Sequence, residues 1–216
     1  MNNNYSVGFD LKLWYHSVMR TSIIKFDEEI EKVRLRKVRP RLLLHACCAP
    51  CASSVLNTLV DYFDVTLFFY NPNIFPKSEF DARLDEMKRY IDLVHPNIEI
   101  IAPVWCENHF KDAIEGLEKE KEGGARCGEC FKLRLLATSN EAKEKGFDYF
   151  ATTLTVSPLK NAERINAIGE AFSTDGCKYL VSDFKKRDGY KKSIELSSKY
   201  GLYRQNYCGC IFSKRD

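Results

Sequence analysis

The sequence predicts an α/β protein with a mainly parallel sheet covered by helices on both faces. Three observations carry this. From Pro40 onward, short apolar segments alternate with amphipathic stretches of helical length. The first apolar segment, "RLLLHA", is continuous rather than alternating, as expected of a parallel strand buried on both faces. The chain has 216 residues, of which 44% are hydrophobic, enough for one sizeable core in a single domain. Residues 1–37 are polar and charged and read as a helical extension; residues 38–216 read as the domain that carries the chemistry.

The elements follow in order. "FDEEIEKVRLRKVR" reads as a helix that Asp27 is placed to cap. "RLLLHA" is the first strand, "ASSVLNTLVDYF" a helix and "DVTLFFYN" the second strand. "KSEFDARLDEMKRYIDLV" has the spacing of a long amphipathic helix, and "IEIIAPV" is the third strand. "ENHFKDAIEGLEKEK" reads as a helix that Gly123 and Gly124 end, and "GECFKLRLLATSNEAKEKG" as a helix that Gly146 ends. "FDYFATTL" is the fourth strand, "NAERINAIGEAFS" a helix, "KYLVS" the fifth strand and "DGYKKSIELSSKYG" the last helix. In open parallel sheets, ligands bind beyond the carboxyl ends of the strands. "HACCAPC", "YNP" and "TTL" all fall at such ends, so the motifs converge on one edge.

Nine cysteines are many for this length, and they are bunched. Cys47, Cys48 and Cys51 form one group, Cys127 and Cys130 a second, and Cys208 and Cys210 a third; only Cys106 and Cys177 stand alone. The chain shows no apolar stretch of the roughly 20 residues a membrane helix needs, and no signal-peptide core. A cytoplasmic location without a membrane partner is therefore expected, and there thiols serve metal or redox chemistry rather than a disulfide framework. At a strand-to-helix turn, backbone N–H groups and the helix dipole favour thiolate at Cys47 and Cys48. Cys127 and Cys130, three apart at a helix start, can face one centre. A four-sulfur site is within reach, and spacing separates zinc from iron–sulfur only weakly; it also permits Cys51 in place of Cys48. A disulfide between Cys208 and Cys210 would close a very small ring, which favours a reversible electron relay over a structural bond. Further metal ligands are the competing reading of that pair.

Five stretches resemble the cobalamin-independent epoxyqueuosine reductase family (QueH), in the family's order: "LLLHACCAPCASSVL", "FYNPNIFPKSEFDARLDEMKRY", "EGGARCGECFKLRL", "FATTLTVSPLKN" and "SDFKKRDGYKKSIELSSKYGLYRQNYCGCIFS". The resemblance runs from about Arg41 to Ser213, with a looser match in the N-terminal helix. It implies a Rossmann-like three-layer α/β/α fold related to the nucleotide α-hydrolases and PP-loop proteins. The turn after strand one has no Gly-rich phosphate loop, so no ATP use is expected. The implied reaction is the last step of queuosine biosynthesis, reduction of the epoxide of epoxyqueuosine at the wobble position of tRNA. The resemblance further implies a 4Fe–4S cluster on Cys47, Cys48, Cys127 and Cys130, and a redox-active disulfide at Cys208 and Cys210. A second metal ion, iron or zinc, is implied beside the cluster, with Cys51 as its fixed ligand. There Cys106 stands where the family pattern has an aspartate, a change that would favour a softer metal; packing is the other reading of Cys106. Cys177 reads as structural.

Removing an epoxide oxygen needs two electrons, two protons and an electrophile. Cys208 and Cys210 can hold two electrons, and an electron donor that the sequence does not identify would refill them. Tyr70 and Tyr207 are candidate proton donors. Asn71, Asn73, Arg83, Lys160 and Asn161 lie at the expected site edge and are candidate contacts to the modified base or phosphates. Net charge is only +3, so any RNA contact must come from a local face. "DFKKRDGYKK" offers Lys185, Lys186, Arg187, Lys191 and Lys192 to tRNA phosphates, although such runs are also ordinary solvated faces. Phe75, Tyr190 and Tyr203 are candidates for stacking on a flipped-out base. DNA is not an expected partner. His45 reads mainly as strand packing. Two other function classes compete: a zinc-stabilised tRNA-binding module without catalysis, and a thiol–disulfide oxidoreductase acting on proteins.

Overall fold

The computed structural model describes the backbone of residues 11–214 and side chains from residue 21 to residue 214. The first ten residues of the expected extension lie outside the described residues. The elements are α1 (Leu11–Arg34), β1 (Arg41–His45), α2 (Ala49–Leu59), β2 (Asp64–Phe68), α3 (Lys77–Val94), β3 (Ile100–Ile101), α4 (Glu107–Ala113), α5 (Ala125–Glu144), β4 (Tyr149–Thr152), α6 (Ala162–Ala171), β5 (Lys178–Tyr179) and α7 (Gly189–Tyr200). No helix among the described residues is long and apolar enough to cross a membrane.

The five strands form one all-parallel sheet in the order β3-β2-β1-β4-β5. Alternate side chains of β1 explain its unbroken apolar run. Leu42 and Leu44 point into a core shared with α1, α2 and α3, through residues such as Val55, Leu56, Phe80 and Met87. Leu43 points into a second core on the opposite face, with Phe131 and Leu135 of α5 and Ile165 of α6. Helices α7 and α2 pack together on the first side, and α5 and α6 on the second. The three-layer α/β/α arrangement expected from the sequence is thus present.

Several boundaries differ from the expected ones, for local reasons. Asp27 lies inside α1 and does not cap it; its carboxylate accepts both arms of Arg187, at 3.0 and 2.6 Å. Helix α4 ends at Ala113 instead of continuing to the Gly-Gly pair, because Gly116 takes a positive φ of 77° and turns the chain. Helix α5 begins at Ala125, earlier than expected, which places Cys127 in its first turn. Strands β3 and β5 are the sheet edges and pair over only two residues each. After Thr152 the chain leaves β4 for a short 3-10 turn, opened by the Leu154 N–H donating to Thr152 Oγ1 at 3.1 Å.

Strand β1 is central, and the chain first builds outward through β2 to β3, then crosses to β4. The direction of winding therefore reverses between β1 and β4. Crevices form at such switch points, beyond the carboxyl ends of the strands. The turn after β1 carries Cys47 and Cys48, and the turn after β4 leads to Lys160.

Candidate metal and redox site

Cys48 takes extended backbone angles at the N-cap of α2, and Pro50 and Cys51 occupy its first turn. The three sulfurs of Cys47, Cys48 and Cys51 lie within 4.8 Å of one another, with Cys47 and Cys48 at 3.8 Å. Thiol hydrogen bonds from Cys48 and Cys51 hold the Cys47 thiol well below its ordinary value, with help from the charges of Arg134 and Lys160. Cys48 is pushed the other way by the same sharing of protons and by burial.

Two more thiols come from α5. Cys127 is half-buried and accepts the Gly123 N–H at 3.2 Å. Cys130 is buried, and burial pushes its thiol up to about 11 despite the opposing charge of Arg134. The tail brings the last pair. Cys210 packs with Cys130, Phe110 and Ile114 in a small core of its own, with Cys208 against it. The Cys208 sulfur sits 3.0 Å from Ser213 Oγ. Its thiol is shifted down by hydrogen bonding from Cys210 and by the charge of Lys160, whereas Cys210 is shifted up by that same pairing and by burial.

The tail is clamped at several points. Arg83, 2% exposed, is ion-paired to Glu79 at 2.7 Å and reaches the carbonyls of Cys208 and Tyr207 at 3.4 and 3.5 Å. Phe75 N–H donates to Gly209 O at 2.8 Å, and Tyr207 O–H donates to Phe75 O at 2.8 Å. Gly209 has φ of 97°, and a Cβ there would lie 2.8 Å from Ile74. The Cys-Gly-Cys turn is thus held against the body of the domain.

Two adjoining cavities gather these groups. A cleft of about 280 Å³ is lined by Cys47, Cys48, Cys51 and Cys208, with Arg83, Lys160, Tyr190 and Tyr207 on its walls. A smaller cavity of about 120 Å³ is lined by Cys127, Cys130, Cys208 and Cys210, with Asn73, Arg126, Asn161 and Arg164. Cys208, Lys160 and Arg134 line both. Seven of the nine cysteines, from three distant segments, therefore border this one region; Cys106 and Cys177 border neither cavity.

The smaller cavity is strongly cationic: Arg126, Arg134, Lys160 and Arg164 line it, against Glu122 as the one carboxylate among its lining residues. Arg126 is buried, donates from Nη1 to Glu118 O and Glu120 O, and leaves its Nε without a hydrogen-bond partner. Asn73 is buried with an unpartnered Oδ1. Unsatisfied buried groups are costly, so this wall is built to face a polar or charged occupant. Arg134 is buried too; its Nε donates to His45 Nε2 at 3.2 Å and its Nη2 to Asn71 Oδ1 at 2.7 Å. The His45 ring is held on both sides, with Nδ1 2.9 Å from Thr152 Oγ1 and Nε2 also 3.2 Å from Tyr70 O. Burial, with the Arg134 charge, depresses the imidazole to about 3, so the ring stays neutral.

The remaining residues singled out from the sequence fall in varied places. Asn71 is buried and donates to Ala46 O at 2.9 Å, bracing the turn before Cys47. Asn161 caps α6 through its Oδ1, which accepts the Arg164 N–H. Tyr70 borders neither cavity; its hydroxyl is 3.0 Å from His109 Nδ1, and its ring stacks on Phe68. Cys106 is the N-cap residue of α4. Phe75 packs edge-on against Trp105, and the Tyr203 hydroxyl donates to Glu79. Lys185 is paired to Asp183 and Arg187 to Asp27, whereas Lys186 and Lys192 line a separate surface hollow beside the start of α7. Arg126 and Arg134 escaped the sequence reading. The signal for Arg134 was positional: Cys127, Cys130 and Arg134 are spaced three and four apart on one helix and so share a face.

The model of the family described as epoxyqueuosine reductase QueH matches residues 42–216. The chain is 37% identical over 223 residues to the epoxyqueuosine reductase QueH of Streptococcus pyogenes serotype M1, covering 100% of this chain and 81% of that protein. It is 38% identical over 209 residues to the protein of that name from Staphylococcus epidermidis, covering 94% and 85%. Its identity to the one from Thermotoga maritima is 35% over 176 residues, covering 80% and 89%.

Proposed function

The chain belongs to the epoxyqueuosine reductase QueH family of oxidoreductases, and from that premise we propose that it reduces epoxyqueuosine in the anticodon of tRNA to queuosine, using a 4Fe–4S cluster and a redox-active cysteine pair. The observation that carries this reading is the meeting of seven thiols from three distant segments on two adjoining cavities at the sheet's switch point. The donor set fits the cluster: thiolates suit iron–sulfur ligation, and buried arginines with one unpartnered N–H suit an anionic group. Cys47, Cys48, Cys127 and Cys130 are the ligands we assign to it. When bound, such a cluster supplies one-electron transfer and a Lewis-acidic iron. Cys51, on the cleft wall, is the ligand we assign to a second metal ion, iron or zinc; Cys106, off both cavities, is left as a helix-start residue.

The chain's own groups account for the rest of the stoichiometry. Cys208 and Cys210 form a disulfide, giving up two electrons and two protons. The substrate's two C–O bonds break, a C=C bond forms, and the oxygen leaves as water with two protons. An electron donor, of a kind the residues do not identify, then returns the disulfide to the dithiol. Lys160 borders both cavities and places a positive charge where the departing oxygen gathers negative charge. Of the two tyrosines weighed as proton donors, Tyr207 lies on the cleft wall and Tyr70 does not.

Purification without oxygen tests the proposal. The expected product is a brown protein containing iron and acid-labile sulfide that converts epoxyqueuosine in tRNA when given a chemical reductant. A colourless zinc protein that leaves the epoxide intact overturns it in favour of a tRNA-binding module. A metal-free protein that exchanges disulfides on other proteins overturns it in favour of a thiol oxidoreductase.

For tRNA, we assign phosphate contact to Lys186 and Lys192, which make no ion pair among the described residues, and stacking to Tyr190 at the cleft mouth. Each phosphate contact removed lowers the slope of log affinity against log salt by about 0.7–1. The Lys186→Ala/Lys192→Ala variant should therefore bind tRNA more weakly and show a slope shallower by about 1–2. Titrations at several salt concentrations check this, and an unchanged slope rules out the face.

A further inference from the structure

Arg134 touches both segments assigned as cluster ligands, and nothing in the proposed reaction has yet used it. It lies one turn beyond Cys130 on α5, and its Nη1 is 4.0 Å from the Cys130 sulfur. Its other arms reach across the sheet edge. Nε donates to His45, the last residue of β1, and Nη2 donates to Asn71, whose amide holds Ala46 O just before Cys47. One side chain, 2% exposed, therefore ties the Cys47–Cys48 turn to the helix of Cys127 and Cys130.

Its charge is the unusual part. Among the described residues no carboxylate lies within 4.0 Å of Arg134; its partners are a neutral imidazole, an amide oxygen and a thiol. Other buried or half-buried cations here are accounted for differently. Arg83 has Glu79, Arg126 has two backbone carbonyls and the ring of Phe212, and Arg164 has the carbonyls of Gly123 and Gly124. A guanidinium taken out of water without a counter-charge is strongly unfavourable. The negative charge that Arg134 faces is therefore that of the thiolates around it, Cys47, whose thiol it helps hold down, and Cys130, in the two cavities it lines.

We infer that Arg134 is a positioning residue whose fixed positive charge balances the thiolate-ligated cluster and raises its reduction potential. This rests on the cluster assignment proposed above. Four thiolates outweigh the positive charge of the cubane, and reduction adds one more negative charge. A buried cation close to a ligand sulfur stabilises the reduced form more than the oxidised one, since Coulomb energy scales with the charge it faces and is weakly screened there. Burial, net charge and hydrogen bonds to sulfur are the protein's means of setting such potentials. Lys160 is only half-buried, so water screens its charge more than that of the buried Arg134.

The test is a redox titration of anaerobically prepared wild type, Arg134→Gln and Arg134→Lys, followed by electron paramagnetic resonance, with iron and sulfide measured in each. Arg134→Gln should hold its cluster at a more negative midpoint than wild type, and Arg134→Lys should stay near the wild-type midpoint. An Arg134→Gln protein with a full cluster and an unmoved midpoint overturns the inference while leaving the cluster assignment standing. If Arg134→Gln loses its cluster, Arg134→Lys decides: a retained cluster supports a role for the charge, and loss from both variants overturns it in favour of bracing by the guanidinium fork. A wild type without iron and sulfide overturns both the inference and the reading beneath it.

Discussion

Cys130→Ser is expected to give a folded protein with no iron–sulfur absorption and no epoxide reduction above background. The change removes one soft ligand from a buried position on the smaller cavity. Serine is nearly isosteric, but its hydroxyl does not ionise at working pH, and iron–sulfur ligation requires the thiolate. Folding should survive. Cys130 packs among Phe110, Ile114 and Cys210, in a pocket separate from the two main cores. A buried hydroxyl without a partner costs about 1–3 kcal/mol there, less than typical domain stability. Burial holds the Cys130 thiol protonated in the apoprotein, so loading a metal group releases that proton and strengthens as pH rises. Iron and sulfide content, visible absorption and circular dichroism on one preparation check the expectation. Cys177→Ser is the matched control: Cys177 is buried in the core beneath α5 and α6, borders neither cavity, and its substitution should leave iron content unchanged. Wild-type iron in Cys130→Ser, with normal turnover, removes Cys130 from the ligand set.

Part of this site was legible in the chain and part was not, and the division has physical causes. A parallel sheet declares itself locally, because strands buried on both faces must be apolar throughout; Leu42, Leu43 and Leu44 show this in three consecutive residues. Cysteine bunching is equally local. Element ends depended on contacts that no local pattern carries. The apolar segment holding Ile100 and Ile101 looks like a full strand, but as a sheet edge it pairs over two residues only. Gly116, not the later Gly-Gly pair, stops α4, because it is Gly116 that first adopts the left-handed turn. The charged residues were the least legible. Lys and Arg are expected at the surface, so nothing in the local pattern marked Arg126 and Arg134 on α5, and Arg83, a candidate substrate contact that does line the cleft, gave no sign of its burial. In the fold all three are buried, and Arg83 clamps the tail. What justifies a buried arginine is the group it faces, and that group is assembled from segments far apart in sequence: Cys130 meets Cys210 across 80 residues of chain.

Cys208→Ser should retain the cluster and complete at most a single round of reduction, losing sustained turnover. Two features make Cys208 the reactive half of the pair. It borders both cavities, whereas Cys210 borders only the smaller one and is buried. Its sulfur is also the one whose thiolate is favoured, through Cys210, Lys160 and the Ser213 hydroxyl. In exchange chemistry the thiolate is the nucleophile, so the accessible sulfur whose thiolate is favoured is the one that attacks a disulfide and carries the mixed disulfide. Serine at 208 keeps the backbone clamp, since Arg83 binds carbonyl oxygens and Phe75 N–H binds Gly209 O, so the turn should stay seated. The variant cannot close a disulfide and therefore cannot store the two electrons each reduction consumes. Product formed per protein, measured with and without an external thiol reductant, separates one turnover from many. Cys210→Ser gives the complementary result: Cys208 alone should form a mixed disulfide with a small-molecule thiol disulfide, readable as added mass on intact protein. Undiminished steady-state turnover in Cys208→Ser means that electrons reach the substrate without the tail, and the relay is then discarded even if the cluster is confirmed.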